Sequence, residues 1–139
     1  METPVRSVFF FFHPLIAVKD AALRAVETKP AEFRRLVRSL AQLLAYEATT
    51  DLPTRAITVT TPLGSAVGST FETPIVIVPI LRAGLGMADG ILDLIPEAEV
   101  RHIGLRRDEQ TLRPEEYYRK LPSHLGKSLV LVVDPMLAT

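Results

Sequence analysis

The chain has 139 residues, 47% of them hydrophobic and 23% charged, with 16 basic side chains balanced by 16 acidic ones. That supplies apolar material for about one domain and excludes a disordered tail or a low-complexity linker. Residues 1–70 carry eight basic and six acidic side chains, and residues 71–139 carry eight and ten. No basic face for a nucleic-acid backbone is expected, while a small anion gripped by two or three arginines fits the balance. The absence of cysteine excludes disulfides, thiolate zinc sites and cysteine nucleophiles, and agrees with a cytoplasmic setting. His13, His102 and His124 stand far apart, so no metal site built from protein side chains is expected.

The first apolar run, Val8 to Phe12, is followed at once by His13-Pro14. It is too short for a signal-peptide core or a membrane span, and reads as a buried or edge strand or a loosely ordered terminus. A short helix is predicted from Ile16 to Val26. A longer one follows, with Thr28 as cap and Pro30 in its first turn. Phe33, Leu36, Val37, Leu40, Leu43 and Leu44 recur there at helical spacing, and Thr50 to Pro53 end the run.

Ala56 to Thr60 alternates and is rich in β-branched residues, as in a half-exposed strand. Pro62-Leu63-Gly64 closes it, and the Gly/Ser/Thr-rich stretch to Thr70 is a hairpin or a loop. Ile75 to Val78 is continuously apolar, as expected of a strand buried on both faces of a parallel sheet. The turn Arg82-Ala83-Gly84 leads into a short helix across Met87, Ile91 and Leu94, stopped by Pro96. Val100 to Leu105 is predicted as a strand and Leu129 to Val133 as a further buried one. This order defines an α/β fold with ligands expected at the carboxyl ends of the strands.

Three segments at such ends could carry chemistry. Pro79 to Gly84 runs from a strand through a tight turn into a helix start, where backbone N–H groups beside Arg82 can cradle an anion or serve structure alone. Arg106-Arg107-Asp108-Glu109 reads, by itself, as a solvated charged turn. Asp134 leaves a buried strand ahead of the small-residue loop to Thr139, placed to meet hydroxyls or a metal-bound ligand.

Together the three segments resemble the uracil phosphoribosyltransferase family. The likeness rests on Pro79-Ile80-Leu81-Arg82-Ala83-Gly84-Leu85-Gly86-Met87, His102 to Leu105, Arg107-Asp108-Glu109 and Val133 to Thr139. His13-Pro14-Leu15, Leu44 to Thr49 and Tyr117 to Pro122 extend it in the same order. Pro135, where phosphoribosyltransferases for other bases usually carry a second acid, points to the uracil enzymes. The resemblance implies a type I phosphoribosyltransferase fold, a parallel sheet flanked by helices, assembled as a homodimer or larger oligomer. It implies transfer of the phosphoribosyl group from phosphoribosyl pyrophosphate (PRPP) to uracil, giving uridine monophosphate (UMP) and pyrophosphate. Magnesium is expected to arrive on PRPP, GTP is an expected effector, and no nucleic-acid or membrane partner is expected. By the same likeness, Arg82 and Arg107 bind PRPP, and Asp134 is the catalytic carboxylate beside the ribose hydroxyls. Pro135, Met136, Leu137, Ala138 and Thr139 belong to the PRPP loop, whose turn wraps the 5′-phosphate.

Two departures from the family pattern accompany this. Position 106 is arginine where an aromatic residue is common, which either adds to anion binding or faces solvent. In the family the loop after position 139 continues with Gly-Gly-Ser or Gly-Gly-Thr and a long segment that reads uracil. On that basis residues 1–139 are expected to be the N-terminal part of one domain, incomplete at the C-terminus, with residues 1–12 as a loose leader and little turnover alone. The alternative is a non-catalytic remnant or regulator acting by oligomerisation or PRPP sensing.

Overall fold

The computed structural model describes residues 8–136. Helix α1 spans Pro14–Arg24 and α2 spans Pro30–Ala48. Strands β1 (Thr54–Thr61) and β2 (Gly64–Phe71) form an antiparallel ribbon separate from the main sheet. Strand β3 (Ile75–Leu81) is followed by α3 (Leu85–Leu94), β4 (Glu99–Val100), β5 (His102–Arg107), β6 (Pro114–Lys120) and β7 (Leu129–Val133).

The sheet is organised around β3. Along one edge Ile75 to Pro79 pair in parallel with Leu129 to Val133 of β7. Along the other, Val76 and Ile77 pair with β4, and Ile80 and Leu81 pair with Ile103 and Gly104 of β5. The Arg101 N–H donates to the Ile77 carbonyl at 2.9 Å, so β4 and β5 follow the same edge as one interrupted strand. Val76, Ile77 and Val78 are fully buried, as their unbroken apolar run predicts. The sheet is not wholly parallel, because β6 pairs antiparallel to β5. Glu115, Glu116, Arg119 and Lys120 charge that outer strand, a common protection against pairing with another chain.

Helices α2 and α3 cover one face. Ala41 and Ala45 of α2 meet Ile75 and Ile77 of β3, Ala88 and Ile91 of α3, Ile95, Ala98 and Val133 in one apolar cluster. Small residues set the helix spacing: a side chain at Gly90 would run into the Arg38 carbonyl of α2. At the outer end of this contact Asp93 accepts from Arg38 Nε and Nη2 and from Gln42 Nε2. The pair is exposed and adds direction more than stability.

Several expectations shift by a few residues, each with a local cause. The first helix begins at Pro14 because His13 caps it, its Nδ1 accepting from the Leu15 N–H at 3.1 Å. Lys29, not Thr28, precedes the longer helix, since the residue before Pro30 is pushed into extended geometry. Thr28 instead donates its hydroxyl to the Ala22 carbonyl, closing the end of α1. The stretch after Thr61 is a hairpin with a two-residue turn, and Gly64, at φ +131°, adopts a conformation closed to other residues.

Two expectations on burial are corrected. Phe9 to Phe12 form no strand, and Phe12 is 95% exposed. Strand β7 is not buried on both faces: Leu129, Leu131 and Val133 point into the core, while Val132 is 62% exposed. Its periodicity-free apolar sequence hides a two-sided environment.

The close approach of α2 and α3 makes Gly90→Ala a sharp test. In a free helix this change gains about 1 kcal/mol, whereas here it is expected to cost about 1–3 kcal/mol through overpacking. A urea midpoint equal to or above that of the native chain would show that the helices stand farther apart.

Candidate active site

Strands β7, β3 and β5 are neighbours that run the same way, so their carboxyl ends open on one side of the sheet. Asp134 follows β7, Arg82 follows β3 and Arg107 ends β5. A cavity of about 380 Å³ lies among them, lined by Ile80 to Ala83, Leu105 to Arg107, Leu112, Pro114, Asp134 and Met136. Its size suits a small ligand. Arg82, Arg107, Asp134 and Met136, named from the sequence for one ligand, therefore share one space.

Pro135 turns toward a separate apolar groove of about 620 Å³ between α1 and α2, with Asp134 on the boundary of both. Leu137, Ala138 and Thr139 lie outside the described residues.

Gly84 ties two of the three ends together. It starts α3, its N–H donates to the Ile80 carbonyl at 2.9 Å, and a Cβ there would strike the Val133 carbonyl and lie 2.8 Å from the Ile80 nitrogen. Any other residue would push the Arg82 turn away from the end of β7. The peptide bond between Leu81 and Arg82 is cis. Asp134 is half-buried, and its Oδ1 accepts a long hydrogen bond from the Met136 N–H at 3.4 Å, bending the chain back at the cavity mouth.

Arg82 and Arg107 form no ion pair or side-chain hydrogen bond with any described residue. Two guanidinium groups facing a cavity without carboxylate partners form a site for a polyanion. Arg106 lines the same cavity and donates Nε–H to Glu115 Oε2 at 2.8 Å.

The charged segment read as a turn is divided in the structure. Arg106 and Arg107 complete β5, and the turn proper spans Asp108 to Arg113. Asp108 organises it: Oδ1 accepts from the Thr111 N–H at 2.6 Å, the Thr111 hydroxyl at 2.8 Å and the Gln110 N–H at 3.1 Å. These bonds, led by that from the Thr111 backbone, hold the Asp108 carboxyl below its ordinary range. The turn places Leu112, at φ 56°, and Pro114 as the apolar wall of the cavity. Sequence reasoning missed these two, although Asp108 three residues before Thr111 is a recognisable turn signal.

Chain order, sheet order and the cavity at the strand ends define an α/β protein with three arginines gathered where such folds carry their ligand sites. The family model described as uracil phosphoribosyltransferase matches residues 10–139, and the chain belongs to that family. It is 52% identical over 128 residues to the uracil phosphoribosyltransferase of Dictyoglomus thermophilum, covering 91% of this chain and 62% of that protein. With the Roseiflexus castenholzii enzyme it shares 52% identity over 135 residues, covering 97% and 65%. The solved structure of the AQ2163 protein from Aquifex aeolicus superposes with a TM-score of 0.86 at 38% identity, covering 93% of this chain and 62% of that one. The chain thus spans less than two thirds of the length of these relatives.

Because the folded pKa of Asp108 is depressed, its contribution is complete above the ordinary carboxylate range and lost as pH falls through the lower, folded value. In an acid titration followed by amide NMR, Gln110 and Thr111 are expected to move together, with a midpoint below that of a free aspartate. Asp108→Asn should abolish the transition; a midpoint at the ordinary value would show that these bonds are not held in solution.

Proposed function

We propose that the cavity binds PRPP and that the protein to which this chain belongs transfers its phosphoribosyl group to uracil, yielding UMP and pyrophosphate. The observation that carries this reading is the convergence of Arg82, Arg107, Asp134 and Met136 on one cavity at three adjacent strand ends. The family supports the choice of substrates.

In the reaction the bond from the anomeric carbon to the pyrophosphate oxygen breaks, and a bond from that carbon to uracil nitrogen forms as the nitrogen loses its proton. Positive charge develops on the sugar and negative charge on the leaving group, so placement and electrostatic stabilisation outweigh covalent catalysis. Arg82 and Arg107, without a carboxylate partner among the described residues, neutralise the departing pyrophosphate. Asp134 accepts hydrogen bonds from the ribose hydroxyls and sets the sugar's orientation. Met136 starts the turn toward the 5′-phosphate.

Among the described residues Asp134 is the one carboxylate lining the cavity. A single carboxylate fits a magnesium ion that arrives coordinated by pyrophosphate and water oxygens better than one held in a protein cage. When bound, such an ion supplies further neutralisation of the pyrophosphate. The main burden falls on the two arginines.

Arg82→Ala and Arg107→Ala are each expected to weaken PRPP binding by about tenfold or more, the scale of one lost charge-assisted hydrogen-bond set. Asp134→Asn should lower UMP formation more than PRPP affinity. Calorimetric titration with PRPP and an assay for UMP formation from uracil by the complete polypeptide check both. Unchanged PRPP affinity in both arginine variants would overturn the reading.

A further inference from the structure

Arg106, like Arg107, lines both the main cavity and a second recess formed by Arg106 to Gln110 and Glu115. It lies directly across from Glu115 in the β5–β6 register, and its Nε–H donates to Glu115 Oε2 at 2.8 Å. Cross-strand placement of this kind restrains a long side chain that would otherwise sample many rotamers. A guanidinium has five N–H donors in a fixed fork. Using Nε–H on Glu115 leaves the four on the two Nη atoms for another acceptor.

The charges fit the same picture. Among the described residues the charged groups lining the main cavity are Arg82, Arg106, Arg107 and Asp134, three cations against one carboxylate, while the adjoining recess adds the carboxylates Asp108, Glu109 and Glu115. A third cation in the cavity, tethered through its Nε–H, adds donors for a ligand that carries more than one phosphate group.

We propose that Arg106 is a third anion-binding residue of this cavity, positioned by Glu115, and that it favours ligands carrying a diphosphate over those carrying one phosphate. This deepens the PRPP reading and rests on it. Glu115 is a positioning residue, acting through Arg106 and not on the ligand.

The test is calorimetric titration of the full chain with inorganic pyrophosphate and, separately, inorganic phosphate at fixed magnesium. Arg106→Ala is expected to weaken pyrophosphate binding about tenfold and phosphate binding less than about twofold. Arg119→Ala, which removes a cation on β6 outside the cavity, should change neither. Glu115→Ala should alter pyrophosphate affinity in the native background and have no effect when combined with Arg106→Ala. Should Arg106→Ala fail to fold, Arg106→Gln removes the charge while keeping an N–H donor for Glu115.

Full pyrophosphate affinity in Arg106→Ala, with affinity lost in Arg82→Ala, overturns the role of Arg106 and leaves the site standing. Equal losses for the two probes overturn the selectivity, and equal losses in Arg119→Ala overturn the assignment in favour of general surface charge. Independent, additive effects of Glu115→Ala overturn the tether. No binding of pyrophosphate by the native chain overturns the site reading and this inference together.

Discussion

Strand β3 is bonded along both edges over its length, to β7 on one side and to β4 and β5 on the other. The cavity depends on this constraint. Parallel register with both neighbours, Pro79 beside Val133 and Leu81 beside Gly104, brings the three strand ends to one side of the sheet, so that Arg82, Arg107 and Asp134 line one cavity although they are far apart in sequence. Gly84 adds a second restraint, admitting the Val133 carbonyl into the space a side chain would take.

Ion pairing bears on what the cavity can hold. Arg24, Arg38, Arg101 and Arg119 each lie beside a carboxylate, with which they form exposed ion pairs. Arg82 and Arg107 have no such partner among the described residues, and a polyanion meets them without first displacing a protein carboxylate. Asp108, the acid nearest to them in sequence, is engaged by Gln110 and Thr111 in shaping the turn. Those donors are neutral, so the carboxylate keeps its negative charge in the recess beside the cavity.

Much of this was legible in the sequence because it follows from local rules. The unbroken apolar run of β3, the turn at Arg82 and the aspartate after β7 announce strand ends, and strand ends in α/β proteins announce ligand sites. What escaped depends on tertiary environment. The apolar run of β7 gives no sign that Val132 faces outward, since burial is decided by what covers each face. The residues of β5 extend to Arg107 because β6 returns alongside them, a non-local pairing that the charged sequence Arg106-Arg107-Asp108-Glu109 conceals. Leu112 and Pro114 become cavity wall through a turn whose geometry Asp108 sets. The departure of Pro135 into the neighbouring groove reflects the bend at Asp134, which no periodicity encodes.

The irregularity in the β5–β6 pairing has an optical consequence. Register shifts between Gly104 and Leu105, so Tyr117 is the extra residue, and its ring occupies the space above Gly104 where a Cβ would lie 2.6 Å from ring carbons. The chain has no tryptophan and three tyrosines, and two of these, Tyr117 and Tyr118, sit on β6 beside the strand that carries Arg106 and Arg107. Ultraviolet emission from this protein is therefore tyrosine emission, weighted toward the hairpin that borders the cavity. Its fluorescence intensity and anisotropy report on that hairpin without any attached dye.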